Sequence, residues 1–150
     1  MTSKVYFGSA HQSLLEAKET LPAKLDLILD RLHLRDRVKG ERVVIKMHTS
    51  NNIGYSTIHP IFVRKVVKSI KDGGGKPFIT DVPWDITDAE LRGYSSETLG
   101  CPVYPAAGPD EKYYYEHTRP YKNIQTWKVA GLIQDATFLV NFAHVKGHPT

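Results

Sequence analysis

Apolar residues in this chain follow two rhythms, one helical and one extended, and the two alternate along its length. Residues 4–8 (Lys4-Val5-Tyr6-Phe7-Gly8) predict a first strand. Thr20-Leu21-Pro22 then opens a helix, since proline suits a first turn, and Leu25, Ile28, Leu29 and Leu32 form its apolar stripe. Residues 43–47 predict a second strand. His59-Pro60 starts the next helix, with Phe62, Val63, Val66, Val67 and Ile70 on its buried side, and Asp72-Gly73-Gly74-Gly75 stops it because glycine accepts a left-handed conformation. A third strand is expected over 77–81, and a weaker helical stretch lies within 87–99, broken near Gly93.

Between residues 100 and 125 the periodicity fades, and only Tyr113-Tyr114-Tyr115 suggests a short edge strand. Residues 127–135 read as a short helix feeding a last strand from Thr137, apolar enough to be central. Strand–helix alternation of this kind predicts an α/β, three-layer, mostly parallel sheet with helices on both faces, built as a single domain over 1–150. The chain stops at Thr150, just past a buried-type strand and before any covering helix. Two readings follow: a natural end with a frayed tail, or the front part of a longer protein.

The strands matter for how they finish. Val43-Val44-Ile45-Lys46-Met47 runs into His48-Thr49-Ser50-Asn51-Asn52, Phe78-Ile79-Thr80 ends in Asp81, and Val140-Asn141-Phe142-Ala143 ends in His144-Val145-Lys146-Gly147-His148. In an open parallel sheet, ligands bind beyond the carboxyl ends of the strands. Polar chemistry at three such ends therefore predicts one shared crevice.

Composition narrows the classes. A length of 150 residues, 41% hydrophobic and 24% charged, suits one soluble globular domain. The apolar runs are too short for a membrane helix, and the first residues lack the apolar core of a secretory signal. A single cysteine, Cys101, cannot form an internal disulfide or hold a metal cluster alone, which favours a cytoplasmic location. Net charge is +4, and the basic excess sits in residues 1–75, with 13 Lys/Arg against 7 Asp/Glu. Arg64, Lys65, Lys68 and Lys71 share the polar side of one predicted helix, so a solvated face explains most of that excess. No arginine-rich tract interleaved with stacking aromatics is present, and nucleic acid ranks low as a partner.

Several of these stretches resemble a known family. Val43-Val44-Ile45-Lys46-Met47-His48, Ile58-His59-Pro60, Gly73 to Asp81, and Asp135 to His148 with its lysine–glycine–histidine ending are similar to the N-terminal half of domain-of-unknown-function family 362, the uncharacterised iron–sulfur-centre proteins. Val5 to Ser9 and Leu21 to Leu25 resemble it too, whereas residues 83–121 carry no matching motif. The resemblance implies that the intact protein continues into a glycine-rich loop and a ferredoxin-like cysteine cluster. It thus implies no cofactor in this chain and a [4Fe-4S] cluster held beyond Thr150; a redox partner and a second copy of the chain are further candidate partners.

The candidate ligand-binding set is Lys46, His48, Ser50, Asn51, His59, Asp81, His144, Lys146 and His148, with Asp81, Lys146 and His148 as catalytic candidates and no metal site assigned. Residues 48–54 and the helix entry after them form a natural anion cradle, although Ser, Thr and Asn are also ordinary turn and capping residues. Asp81 either faces the crevice or closes an Asx turn before Pro83. His144, Lys146 and His148 alternate along an extended chain and so project to one side. Lys46, within an apolar strand, needs an anionic partner, and Asp81 is the candidate. These features predict recognition of a small anionic molecule, carboxylate or phosphate. Two rivals stand beside it: a docking or assembly module without chemistry, and a metal-dependent enzyme using His48, Asp81 and His148.

Overall fold

The computed structural model describes residues 2–51, 54 and 57–147. After a 3-10 turn at Ala17–Glu19, helix α1 spans Leu21–Arg31 and α2 spans Leu34–Arg37. Strand β1 (Arg42–Lys46), helix α3 (Pro60–Asp72) and strand β2 (Lys76–Asp81) follow, and then α4 (Pro83–Ile86), a 3-10 turn (Ala89–Arg92) and α5 (Ser96–Leu99). The remainder comprises β3 (Val103–Pro105), β4 (Tyr114–His117), β5 (Trp127–Ala130), α6 (Gly131–Gln134) and β6 (Phe138–Asn141). Among the described residues, no helix is long and apolar enough to cross a membrane.

Four strands form a parallel sheet in the order β3-β2-β1-β6, flanked by helices, and β4 and β5 form a small antiparallel sheet. This is an α/β architecture compatible with three layers. Register follows the two-residue side-chain period. Val43 and Ile45 lie opposite Pro77 and Ile79 on one side and Phe138 and Val140 on the other. Val43, Ile45, Met47 and Ile79 pack with Val63, Val66, Val67 and Ile70 of α3 and with Leu29, Leu34 and Val38 into one core. On the opposite face Val44 and Phe78 are buried, while Leu139, beside Val44 in register, is 56% exposed.

The helix stop after α3 is more specific than a single left-handed glycine. Only Gly74 has a positive φ, +80°; a Cβ on Gly73 would meet the Arg35 carbonyl oxygen at 2.4 Å, and one on Gly75 would lie 2.9 Å from the Val38 oxygen. The three glycines thus turn the chain and let it pass against α2.

Four expectations are corrected. Residues 4–8 form no strand: with no neighbouring edge to complete a ladder, Val5 and Phe7 each stand 86% exposed, and Lys24 Nζ ties the segment to α1 through the Ser9 and His11 carbonyls. The expected helix over 127–135 is split, because Trp127–Ala130 pairs with Tyr114–His117 and only Gly131–Gln134 is helical. Val103–Pro105, in a stretch without periodicity, adds a strand beside β2. Finally, β6 pairs with β1 alone among the described residues, so it is an edge strand where its apolar sequence predicted a central one.

Candidate functional site

The chain builds β1, β2 and β3 outward in one direction, then returns to place β6 on the other side of β1. The order of connection reverses between β1 and β6, and such a switch point opens a crevice at the carboxyl ends of its strands. Lys46 ends β1 with His48 two residues beyond it, Asp81 ends β2, and His144 and Lys146 follow β6.

Asp81 is the centre of this arrangement. The residue is 3% exposed, and burying a carboxylate is tolerable only when it is paired and hydrogen-bonded. Lys46 Nζ donates to Oδ1 at 2.8 Å, and the Thr49 backbone N–H donates to Oδ2 at 2.9 Å. His48 Nδ1 sits 3.5 Å from Asp81 Oδ2 and 3.4 Å from Asp85 Oδ2. His48, Asp81 and Asp85 thereby offer three ligand-type atoms all within 4.8 Å of one another.

Asp85 comes from α4, the short helix that Pro83 initiates directly after β2. Its carboxyl is held above the ordinary range, chiefly by burial and then by the charge of Asp81, with His48, Lys46 and Lys146 opposing. Lys146, after β6, makes the last and smallest of these contributions. His144 and Lys146 are themselves exposed.

The loop after β1 is fixed to α4 and to the turn beyond it. Thr49 Oγ1 donates to the Asp85 carbonyl at 2.8 Å, the Asn51 N–H donates to the same carbonyl at 2.6 Å, and the Asn51 amide donates to Trp84 at 3.0 Å. Arg92 clamps the loop from beneath: its Nη1 donates to the carbonyls of Thr49 (2.8 Å), Ser50 (3.3 Å) and Asn51 (2.7 Å), and Nη2 donates to Thr57. Ser50 and Asn51 both adopt left-handed φ, at 56° and 52°. Two such residues in succession are sparsely populated, and they persist where surrounding contacts enforce them; here Arg92 supplies those contacts.

Of the nine predicted site residues, Lys46, His48 and Asp81 are in direct contact, and Ser50 and Asn51 adjoin them through Asp85 and Arg92. His59 is not drawn into this group. Its Nδ1 accepts the Ile61 N–H at 3.3 Å as the cap of α3, and it lines a cavity of about 520 Å³ with Thr57, Pro60, Arg92, Tyr94 and Thr98. His148 lies outside the described residues. The N–H groups of Thr49 and Asn51, expected to face an anion, are spent on Asp81 and Asp85.

Sequence reasoning missed Asp85 and Arg92. The signal for Asp85 was present in Asp81-Val82-Pro83-Trp84-Asp85, where a proline-initiated turn returns a carboxylate to the strand end four residues on. Arg92 lay in a weak helical stretch, where nothing pointed to a carbonyl clamp.

Fold and site together define a parallel α/β protein with a cluster of polar side chains at the carboxyl ends of its strands. Residues 43–150 match the family described as Domain of unknown function (DUF362), and the chain belongs to that family. No curated protein and no solved structure matched the chain.

Proposed function

We propose that the crevice at the ends of β1, β2 and β6 recognises a small anionic molecule through a carboxylate or phosphate group. The observation that carries this reading is the meeting of Lys46, His48, Asp81 and Asp85 at the switch point, within the field of Lys146. Lys46 is largely committed to Asp81, so Lys146 supplies the attracting charge, with the imidazoles of His48 and His144 as hydrogen-bonding groups. The half-buried carboxyl of Asp85, held toward its protonated form, can donate to a ligand oxygen or exchange a proton with it.

The reading extends to the cellular setting and to redox chemistry. The single buried Cys101 suits a reducing, cytoplasmic setting, and an iron–sulfur centre working with this domain would take its cysteine ligands from another segment or a partner. Titration calorimetry with inorganic phosphate tests the site. The expected result is saturable binding that weakens about tenfold in Lys146→Ala, the loss of one charge-assisted contact, with an unchanged melting temperature. Binding that is undiminished in that variant would remove the reading.

A further inference from the structure

The three atoms that meet at the switch point have a donor set and a spacing of their own. His48 Nδ1 stands 3.4 Å from Asp85 Oδ2 and 3.5 Å from Asp81 Oδ2. These separations are long for hydrogen bonds between an imidazole and carboxylates. Bonds of about 2.1 Å to a tetrahedral cation, by contrast, place neighbouring ligand atoms roughly 3.4 Å apart. We propose that His48 Nδ1, Asp81 Oδ2 and Asp85 Oδ2 form a three-ligand site for a divalent cation of the zinc and cobalt class.

The surroundings are organised for that role. One imidazole nitrogen and two carboxylate oxygens suit a borderline cation better than a hard one such as calcium, which takes six or more oxygens. The Thr49 N–H holds Asp81 Oδ2 from behind, the kind of second contact that orients a metal-binding carboxylate. Lys46 occupies the other oxygen, Oδ1, and leaves Oδ2 facing His48. Asp85 and Asp81 are driven together despite their mutual repulsion, which a cation between them relieves. Three protein ligands leave one tetrahedral position open, as in catalytic rather than structural sites. The inference rests on the anion reading in one respect only: the open position is where a carboxylate or phosphate would bind, with Lys146 beside it.

The test uses the untagged full chain, stripped with a chelator and titrated with Co²⁺ alone. The expected result is one equivalent bound with the intense visible absorption of tetrahedral cobalt, and affinity at least tenfold weaker in Asp85→Asn and in His48→Asn. A melting curve for each variant confirms folding, and the two substitutions fall on different elements, so one of them remains informative if the other unfolds. No saturable binding, or wild-type affinity in the folded variants, would overturn the proposal. Phosphate titration of the chelated protein separates the two ideas: phosphate binding without any cobalt site leaves the anion reading standing and this one refuted.

Discussion

Lys46 Nζ lies 2.8 Å from Asp81 Oδ1, joining the ends of two adjacent parallel strands, with Asp81 almost fully buried and the lysine side chain 38% exposed. The pair is structural as well as part of the site. Asp81 also anchors the Thr49 N–H, so its loss orphans a buried donor and a half-buried cation. Asp81→Ala should cost about 2–3 kcal/mol of stability. Urea denaturation measures it, and an unshifted midpoint would show that the pair contributes nothing.

Arg92 holds three successive carbonyls, and lysine cannot reproduce that planar fork. Arg92→Lys should destabilise the chain by about 1–2 kcal/mol. Exchange of the amides of residues 49–51 should quicken. Hydrogen exchange read by NMR tests this directly. Protection equal to wild type would mean that the loop holds its left-handed conformation unaided.

The glycines after α3 separate two physical costs. Gly74→Ala meets open space but a positive φ, and should cost about 1–2 kcal/mol. Gly73→Ala has an ordinary φ of −80° but meets the Arg35 backbone, and should cost more, about 2–3 kcal/mol. Thermal melts of the two variants test the order, and the reverse order would contradict the close packing of α2 against this turn.

Asp85 carries a pH signature. Its folded value lies above the ordinary 3.8, so the folded chain binds this proton more tightly than the unfolded chain does. The stability it contributes is complete below the unfolded value and is lost as pH rises through the folded one. Ionisation of Asp85 is therefore a net liability to the fold, and Asp85→Asn should raise the denaturation midpoint by an amount that grows as pH rises. A lower midpoint for Asp85→Asn at pH 7 would contradict this.

Cys101 is buried, and burial pushes its thiol up to about 11 against the opposing charge of Lys71. Since the thiolate is the reactive form, an aromatic disulfide reagent at pH 8 should react with the unfolded chain and leave the folded one untouched over the same interval. Rapid modification of the native protein would refute that environment.

These residues also mark how far the sequence could be read. The strands β1 and β2 and the helix α3 were legible because Val43, Ile45, Val63, Val66 and Ile79 all obey their period and all point into one core. Lys46 and Asp81 were legible as a pair because a lysine in an apolar strand demands an anion nearby. Short-range rhythm, however, carries no information about partners. Trp127–Ala130 became a strand because Tyr114–His117 lies alongside it, and residues 4–8 did not because they lie against α1 and pair with no strand among the described residues. Arg92 was hidden for the same reason, since it acts on backbone carbonyls of a distant segment, whereas Asp85 had a local signal in the proline-initiated turn after Asp81.

The central claim is that the ends of β1, β2 and β6 form one ligand site. The measurement that tests it most directly is a ¹⁵N NMR titration of the full chain with inorganic phosphate. The account predicts saturable shifts at the amides of His48, Thr49, Asp85, His144 and Lys146 together. Shifts confined to the exposed lysines of α3, Lys68 and Lys71, or shifts at only one of these strand ends, would contradict it.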